Sequence, residues 1–199
     1  MTRSRKSSQA QTRQRQRQLN RLQSLFFILL LVVGGYIFLQ SSVFAIKDVT
    51  ITGLATLQDS EIRKMAGINP GTNTFKLNLN SVKSRLAIHP MVKTVGVKRS
   101  FPDAIVISIT ERKPVTLVPL NSYYIALDQE GYYLYKVTDY LKANLPIITG
   151  LRLGNLTPGK QVVNDGLGTA LGFLRKMDVK LVSQLSELNA GDPQMLIMY

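Results

Sequence analysis

His89 is the only histidine in the chain, and there is no cysteine. Any nucleophile–His triad would therefore have to run through His89, and His-based or thiolate metal sites lack ligands. His89 stands directly before Pro90, and a residue in that position avoids helical backbone, so it reads as the terminator of a helix. No Ser-x-x-Lys occurs, which removes one acyl-transfer signature. Gly154-Asn-Leu-Thr-Pro-Gly159-Lys160 has the spacing of a phosphate loop. However, Gln161 replaces the magnesium-binding hydroxyl and Pro158 removes a backbone N–H, so a surface loop is expected. Gly166-Leu-Gly168 lacks the third glycine of a dinucleotide motif. Asn155-Leu-Thr157 is a glycosylation acceptor only in a eukaryotic host. Among the twelve acids no carboxylate pair stands out, and Glu111, beside Arg112 and Lys113, reads as a solvated strand end. Tyr123, Tyr124, Tyr132, Tyr133 and Tyr135 have faces that can stack bases. Their spacing fits cross-strand pairs in a hairpin better, with the outward rings free for a protein partner. The expectation is a chain with no catalytic residue, cofactor or metal, and with neither nucleic acid nor a small molecule as ligand.

The charge distribution says where such a chain works. The protein carries 25 Lys+Arg against 12 Asp+Glu. Residues 1–24 hold seven basic residues and no acid. With little apolar surface to bury, they are expected to be a disordered tail. Basic residues before an apolar run keep that end in the cytoplasm and attract anionic lipid. The run follows at once, through Leu25, Phe26, Phe27, Ile28, Leu29, Leu30, Leu31, Val32, Val33, Tyr36, Ile37, Phe38 and Leu39. Its fifteen-residue core is short for a span of about 20 residues, but Leu22 to Ile46 supplies the length. A single membrane helix over 25–45 is expected. The alternative, a cleaved signal peptide with a site near Val43-Phe44-Ala45, fits less well because the basic region is long.

Beyond Phe44 the pattern turns amphipathic. Ile46–Gly53 reads as a half-buried strand and Gln58–Ala66 as a short helix stopped by Gly67. Asn69-Pro70-Gly71 is a turn, and Asn78 or Asn80 caps a second helix ending near Ile88. Val92–Ser100 is a strand without a clean inward face, since Val95 and Val97 share parity with Lys93 and Arg99. After a Phe101-Pro102-Asp103 turn, Ala104–Thr110 is the most β-prone stretch in the chain. Strand, helix, helix, strand, strand over 46–114 suits a three-stranded sheet covered on one face. In 115–199, strands are expected at Val115–Leu120, Tyr123–Leu127, Tyr132–Lys136 and Pro146–Gly150. A helix over Asn164–Met177 and a last strand pair, Leu185–Asn189 with Met195–Tyr199, complete the unit. The fold class is α+β: one transmembrane helix, the β-α-α-β-β unit, and a mixed, mainly antiparallel β domain with a packed helix.

These residues carry a resemblance. The basic tail, single anchor, VTITG, GINPGTNTFKLN, IHPMVKTVGVKRSFPDAIVISITERKPV and YYIALDQEGYYLY are similar to the FtsQ/DivIB family of bacterial cell-division proteins. The Pro-Gly-Thr-Asn loop leans toward the DivIB branch. The resemblance implies a POTRA module at 46–114 and the family's β domain at 115–199. Family members continue past Met195–Tyr199 into a further strand, so the β domain is expected to be incomplete here. It also implies a non-catalytic scaffold of the divisome, at the septum of the cell membrane. Its partners would be FtsL-like and FtsB/DivIC-like single-pass proteins, and its role the support of septal peptidoglycan synthesis. The alternative is an exported, anchored protein whose outer part, with a net charge of +6, contacts anionic wall polymer. The expected partner-binding residues are Met195, Leu196, Ile197, Met198 and Tyr199, as an edge for strand addition, with Tyr133 and Tyr135. The competing reading is that Met195, Ile197 and Tyr199 fill the core.

Overall fold

A computed structural model describes residues 4–192 and 194–199 of the chain. Helix α1 runs unbroken through Ser4–Leu39, so the tail expected to be disordered is helical from residue 4 onward. Met1–Arg3 lie outside the described residues. Composition explains the difference. Gln, Arg, Leu and Ala are good helix formers, and no Gly or Pro interrupts the chain before Gly34. The apolar half then acts as a nucleus, from which each added residue gains a hydrogen bond. The segment Leu22–Leu39 is apolar and wholly exposed, as a helix surrounded by hydrocarbon would be.

The helix ends at Leu39 rather than at Ala45. Ser41 breaks it by capping a 3-10 turn over Ser42–Phe44, its Oγ accepting from the Val43 N–H. A polar loop then grips the emerging chain. Asn73 Nδ2 donates to the Leu39 carbonyl at 2.8 Å, and Lys76 Nζ donates to Gln40 Oε1 at 3.0 Å. Thr74 donates to the Phe44 carbonyl from both its N–H, at 2.7 Å, and its Oγ1, at 2.9 Å. The last carbonyls of a helix have no partner inside it, and here the next domain supplies one.

That domain is built as β1 (Asp48–Thr52), α2 (Asp59–Ala66), α3 (Leu79–Ala87), β2 (Val92–Ser100) and β3 (Ala104–Glu111). The strand order is β1-β3-β2, with β1 parallel and β2 antiparallel to β3. Ile62 and Ala66 of α2, and Val82 and Leu86 of α3, are four residues apart and share a face. They bury against Ile105, Ile107 and Ile109 of β3. Gly53 and Gly67 have positive φ. At Gly53 a Cβ would meet the Ile109 carbonyl oxygen at 2.0 Å, so only glycine allows the chain to leave β1 there. Asn78, the first of the two candidates, caps α3 by accepting from the Ser81 N–H.

The mixed face of β2 has a specific cause. A register shift between Val92 and Thr94 brings Val92 into phase with Val95, so both are buried and Lys93 turns outward. Such a bulge changes which residues share a face. Arg99 keeps its inward parity but carries its charge past the core. Its guanidinium donates to the carbonyls of Thr74 at 2.8 Å and Leu77 at 2.9 Å.

The second domain has six strands, β4 (Pro114–Leu120), β5 (Tyr123–Asp128), β6 (Tyr133–Val137), β7 (Ile147–Thr149), β8 (Glu187–Asp192) and β9 (Met195–Met198), with α4 (Asp165–Lys176) and a single turn α5 (Val179–Val182). The order is β6-β5-β4-β7-β8-β9. Pairs β4–β7 and β7–β8 are parallel and the others antiparallel. Helix α4 covers one face through Leu167, Ala170, Leu171 and Leu174, against Val118, Ile125, Ile148 and Leu188. Leu117, Ala126 and Leu134 form the opposite face, which buries Met91 of the first domain.

Candidate interaction surfaces and the joint between the domains

The strand β9 lies at one end of the six-stranded sheet. Tyr199 and Glu187 exchange both backbone hydrogen bonds, at 3.0 and 3.3 Å. In an antiparallel ladder the inward-bonded positions alternate, so the backbone groups of Met198 and Leu196 point away from β8. Among the described residues no strand lies beyond them. The side chains of Met195, Ile197, Met198 and Tyr199 are exposed, and Leu196 packs on the α4 core. The core-filling reading of Met195, Ile197 and Tyr199 is therefore overturned. Those three share the outer face and Leu196 alone plugs in.

Tyr133 and Tyr135 belong to β6, at the opposite end of the sheet. The structure does not bring them together with residues 195–199. Tyr133 is 5% exposed and part of the core. Burial, and to a lesser extent Tyr123, push its hydroxyl pKa up. Its backbone is also engaged, with the N–H donating to the Lys160 carbonyl and the carbonyl accepting from the Gly159 N–H. Tyr133 is thus corrected from a partner contact to a core residue, because its place on β6 faces α4 and its edge is covered. The covering segment is the end of the phosphate-loop lookalike, whose backbone serves as an edge strip rather than an anion cradle. Tyr135 remains exposed.

The joint between the domains is an ion cluster that sequence reasoning missed. Only Arg112 and Lys113 separate β3 from β4. Arg112 Nη1 reaches Asp128 Oδ2 at 2.5 Å and Glu130 Oε2 at 2.9 Å. Lys93 Nζ reaches the other Glu130 oxygen at 2.6 Å, and the Arg112 guanidinium carbon lies 3.6 Å above the Tyr132 ring. Asp128 is buried and the Arg112 side chain is only 10% exposed, and the second carboxylate oxygen of Asp128 accepts the N–H groups of Glu130 and Tyr132, each at 2.9 Å. Burial works against the Arg112 charge, but Asp128 and Glu130 outweigh it and hold its pKa above the ordinary value. Lys93, then Arg112, hold the Glu130 carboxyl below the usual range. Arg112 and Lys113 beside Glu111, and the two acids within YYIALDQEGYYLY, were both visible in sequence. Their meeting was not, since it needs the sheet register.

Glu111 is not the solvated strand end expected of it. Its carboxylate accepts the N–H groups of Ala55, Thr56 and Leu57 at 2.8, 2.9 and 3.0 Å. Burial pushes this carboxyl up, yet the three backbone donors together hold it below its ordinary value. His89 follows α3, with Nδ1 accepting the Met91 N–H at 3.2 Å and Nε2 lying 3.4 Å from Glu61. Among the described residues no group of three His, Cys, Asp or Glu is placed to hold a metal ion.

A membrane-length helix clasped to a β-α-α-β-β unit, and a mixed sheet joined to that unit by two residues, define a membrane-anchored POTRA protein. Residues 44–112 match the family model of the POTRA domain, FtsQ-type. The chain is 27% identical over 169 residues to the cell division protein FtsQ of Syntrophotalea carbinolica, covering 83% of this chain and 60% of that one. It is 29% identical over 166 residues to FtsQ of Myxococcus fulvus, with 80% and 58% covered. To the cell division protein DivIB of Clostridium tetani it is 26% identical over 141 residues, with 71% and 53% covered. Residues 44–112 are thus a POTRA domain of the FtsQ type, and the chain as a whole is similar to the FtsQ/DivIB cell division proteins. Relatives under both names are present, so the comparison does not single out the DivIB branch. The chain spans between 53% and 60% of the length of these three relatives.

Proposed function

We propose that the protein is a non-catalytic, single-pass scaffold of bacterial cell division. Its N-terminus is cytoplasmic and its two β-containing domains are extracytoplasmic, at the septum. The relatives are cell division proteins, and the seven basic residues before the span favour a cytoplasmic tail that also contacts anionic lipid. The partners are FtsL-like and FtsB/DivIC-like proteins, and through them the chain supports septum assembly and septal peptidoglycan synthesis. One anchor keeps it in the plane of other single-pass proteins and raises its effective concentration for them.

The observation that carries this reading is the outer edge of β9. Among the described residues its outward backbone positions pair with no other strand, and such positions can take an added strand, with flanking side chains giving specificity. The reading assigns that strand to a partner of the FtsB/DivIC kind. Met198→Pro removes one outward N–H and leaves the β8-facing bonds in place, since proline is tolerated on an edge strand. In nanodiscs the native chain should capture an FtsB/DivIC-like protein, and Met198→Pro should lose that capture with its circular dichroism unchanged. Equal capture by both would sink the assignment of this edge. A fluorescent fusion that fails to gather at mid-cell would sink the division role itself.

A further inference from the structure

Four phenylalanines form a continuous chain where the anchor meets the first domain. Phe38, one residue before the end of α1, has its ring 5.4 Å from that of Phe44. Phe44 lies 5.1 Å from Phe75, and Phe75 lies 5.3 Å from Phe101. They come from the helix end, the adjoining 3-10 turn and two segments distant in sequence, the clasping loop and the β2–β3 turn. Phe75 and Phe101 are 44% and 59% exposed, and Val43, next to Phe44 in the 3-10 turn, is 46% exposed. This is a sizeable apolar cost on a domain surface unless something covers it.

We propose that this strip lies on the bilayer, so that the base of the POTRA domain is seated in the headgroup region by Phe44, Phe75 and Phe101. Continuity with the spanning helix is the main argument. Phe38 is in the last turn of the span, the clasp fixes the loop of Phe75 at the level of Leu39, and the strip leaves from there along the domain base. Length is the second argument. The apolar helix of 18 residues is about 27 Å long at 1.5 Å per residue, against a hydrocarbon core of about 30 Å. A short span is completed by interfacial residues at its flank, and aromatic rings favour that level. Polar chemistry fits as well. Lys76 follows Phe75 directly and bonds Gln40, and Lys47 bonds Asp103, two residues after Phe101, so positive charges stand close to the strip, where anionic headgroups would meet them.

The chain contains no Trp, so a single one reports its own surroundings. Phe75→Trp, Phe101→Trp and, at a site distant from the strip, Ile88→Trp are made in the full chain and reconstituted in phosphatidylglycerol/phosphatidylethanolamine nanodiscs. Lipids brominated near the headgroup end of the acyl chain serve as quenchers. Trp at 75 and 101 should emit at shorter wavelength than Trp at 88 and lose more than half of its intensity to the brominated lipid, while Trp at 88 loses little. Emission at 75 and 101 as red and as unquenched as at 88 would overturn the proposal. So would a blue shift that depends on protein density and is insensitive to bromine, which would assign the strip to a second protein. Ser replacing both Phe75 and Phe101 provides a second readout. The folded variant should show the Ile88→Trp reporter with greater rotational freedom relative to the disc, and unchanged anisotropy would count against seating.

Discussion

Glu111 ends β3 and holds three backbone N–H groups of residues 55–57, the approach to α2. Its folded carboxyl titrates below the unfolded value. The stability it contributes is therefore full above the ordinary carboxylate range and is lost as pH falls through the lowered value. Glu111→Ala should cost about 1–2 kcal/mol at neutral pH, the net worth of hydrogen bonds to a charged acceptor, discounted because two of the three donors can turn to water. Urea unfolding in detergent should show the gap between variant and native chain closing on acidification. A gap that does not change with pH would mean the carboxylate charge is not what the loop needs. Glu130 shifts in the same direction but is more exposed, so its share is discounted. The role of Glu111 was not legible, because its partners are backbone groups of an irregular loop. Arg99 was hidden for a related reason. Parity places it inside, and only the fold reveals the two carbonyls that draw its charge through.

At the scale of elements, the strands and helices were legible and their assembly was not. Alternation in 104–111 and the four-residue spacing in α2 and α3 mark a buried face directly. The order β6-β5-β4-β7-β8-β9 has no such local mark, because parallel β4–β7 and β7–β8 pairs join strands distant in sequence. Nothing local therefore says that Tyr135 and Met195–Tyr199, both expected partner contacts, lie at opposite edges of one sheet. The Arg112–Asp128 pair is an outcome of register, since Pro114 pairs with Asp128 across the β4–β5 hairpin. Removing either partner of a buried pair leaves a charge unpaired, so Arg112→Met or Asp128→Ala should each cost about 3–5 kcal/mol. The double variant should cost clearly less than the sum of the two, since the residues touch. Strict additivity in chemical denaturation would show that the joint does not depend on this contact.

The whole molecule is a helix, a clasp, a domain, a two-residue joint and a second domain in series. The absence of cysteine lets two spin labels be placed at will, for instance through Leu22→Cys and Ile88→Cys, both exposed positions. Their distance distribution in nanodiscs should be narrow, and Asn73→Ala combined with Lys76→Ala should broaden it by freeing the domain from the helix end. An unchanged distribution would mean that the clasp is not what aligns the two. If neither connection yields, the protein behaves as a lever with its fulcrum in the bilayer. A sideways pull on β9 is then delivered as torque to α1, and the helical stretch on the other side of the membrane swings the opposite way. The two hydrogen bonds from Asn73 and Lys76 would decide whether a tug at the outer edge is felt by the basic segment at the far end of α1, or is spent in bending where the helix meets the first domain.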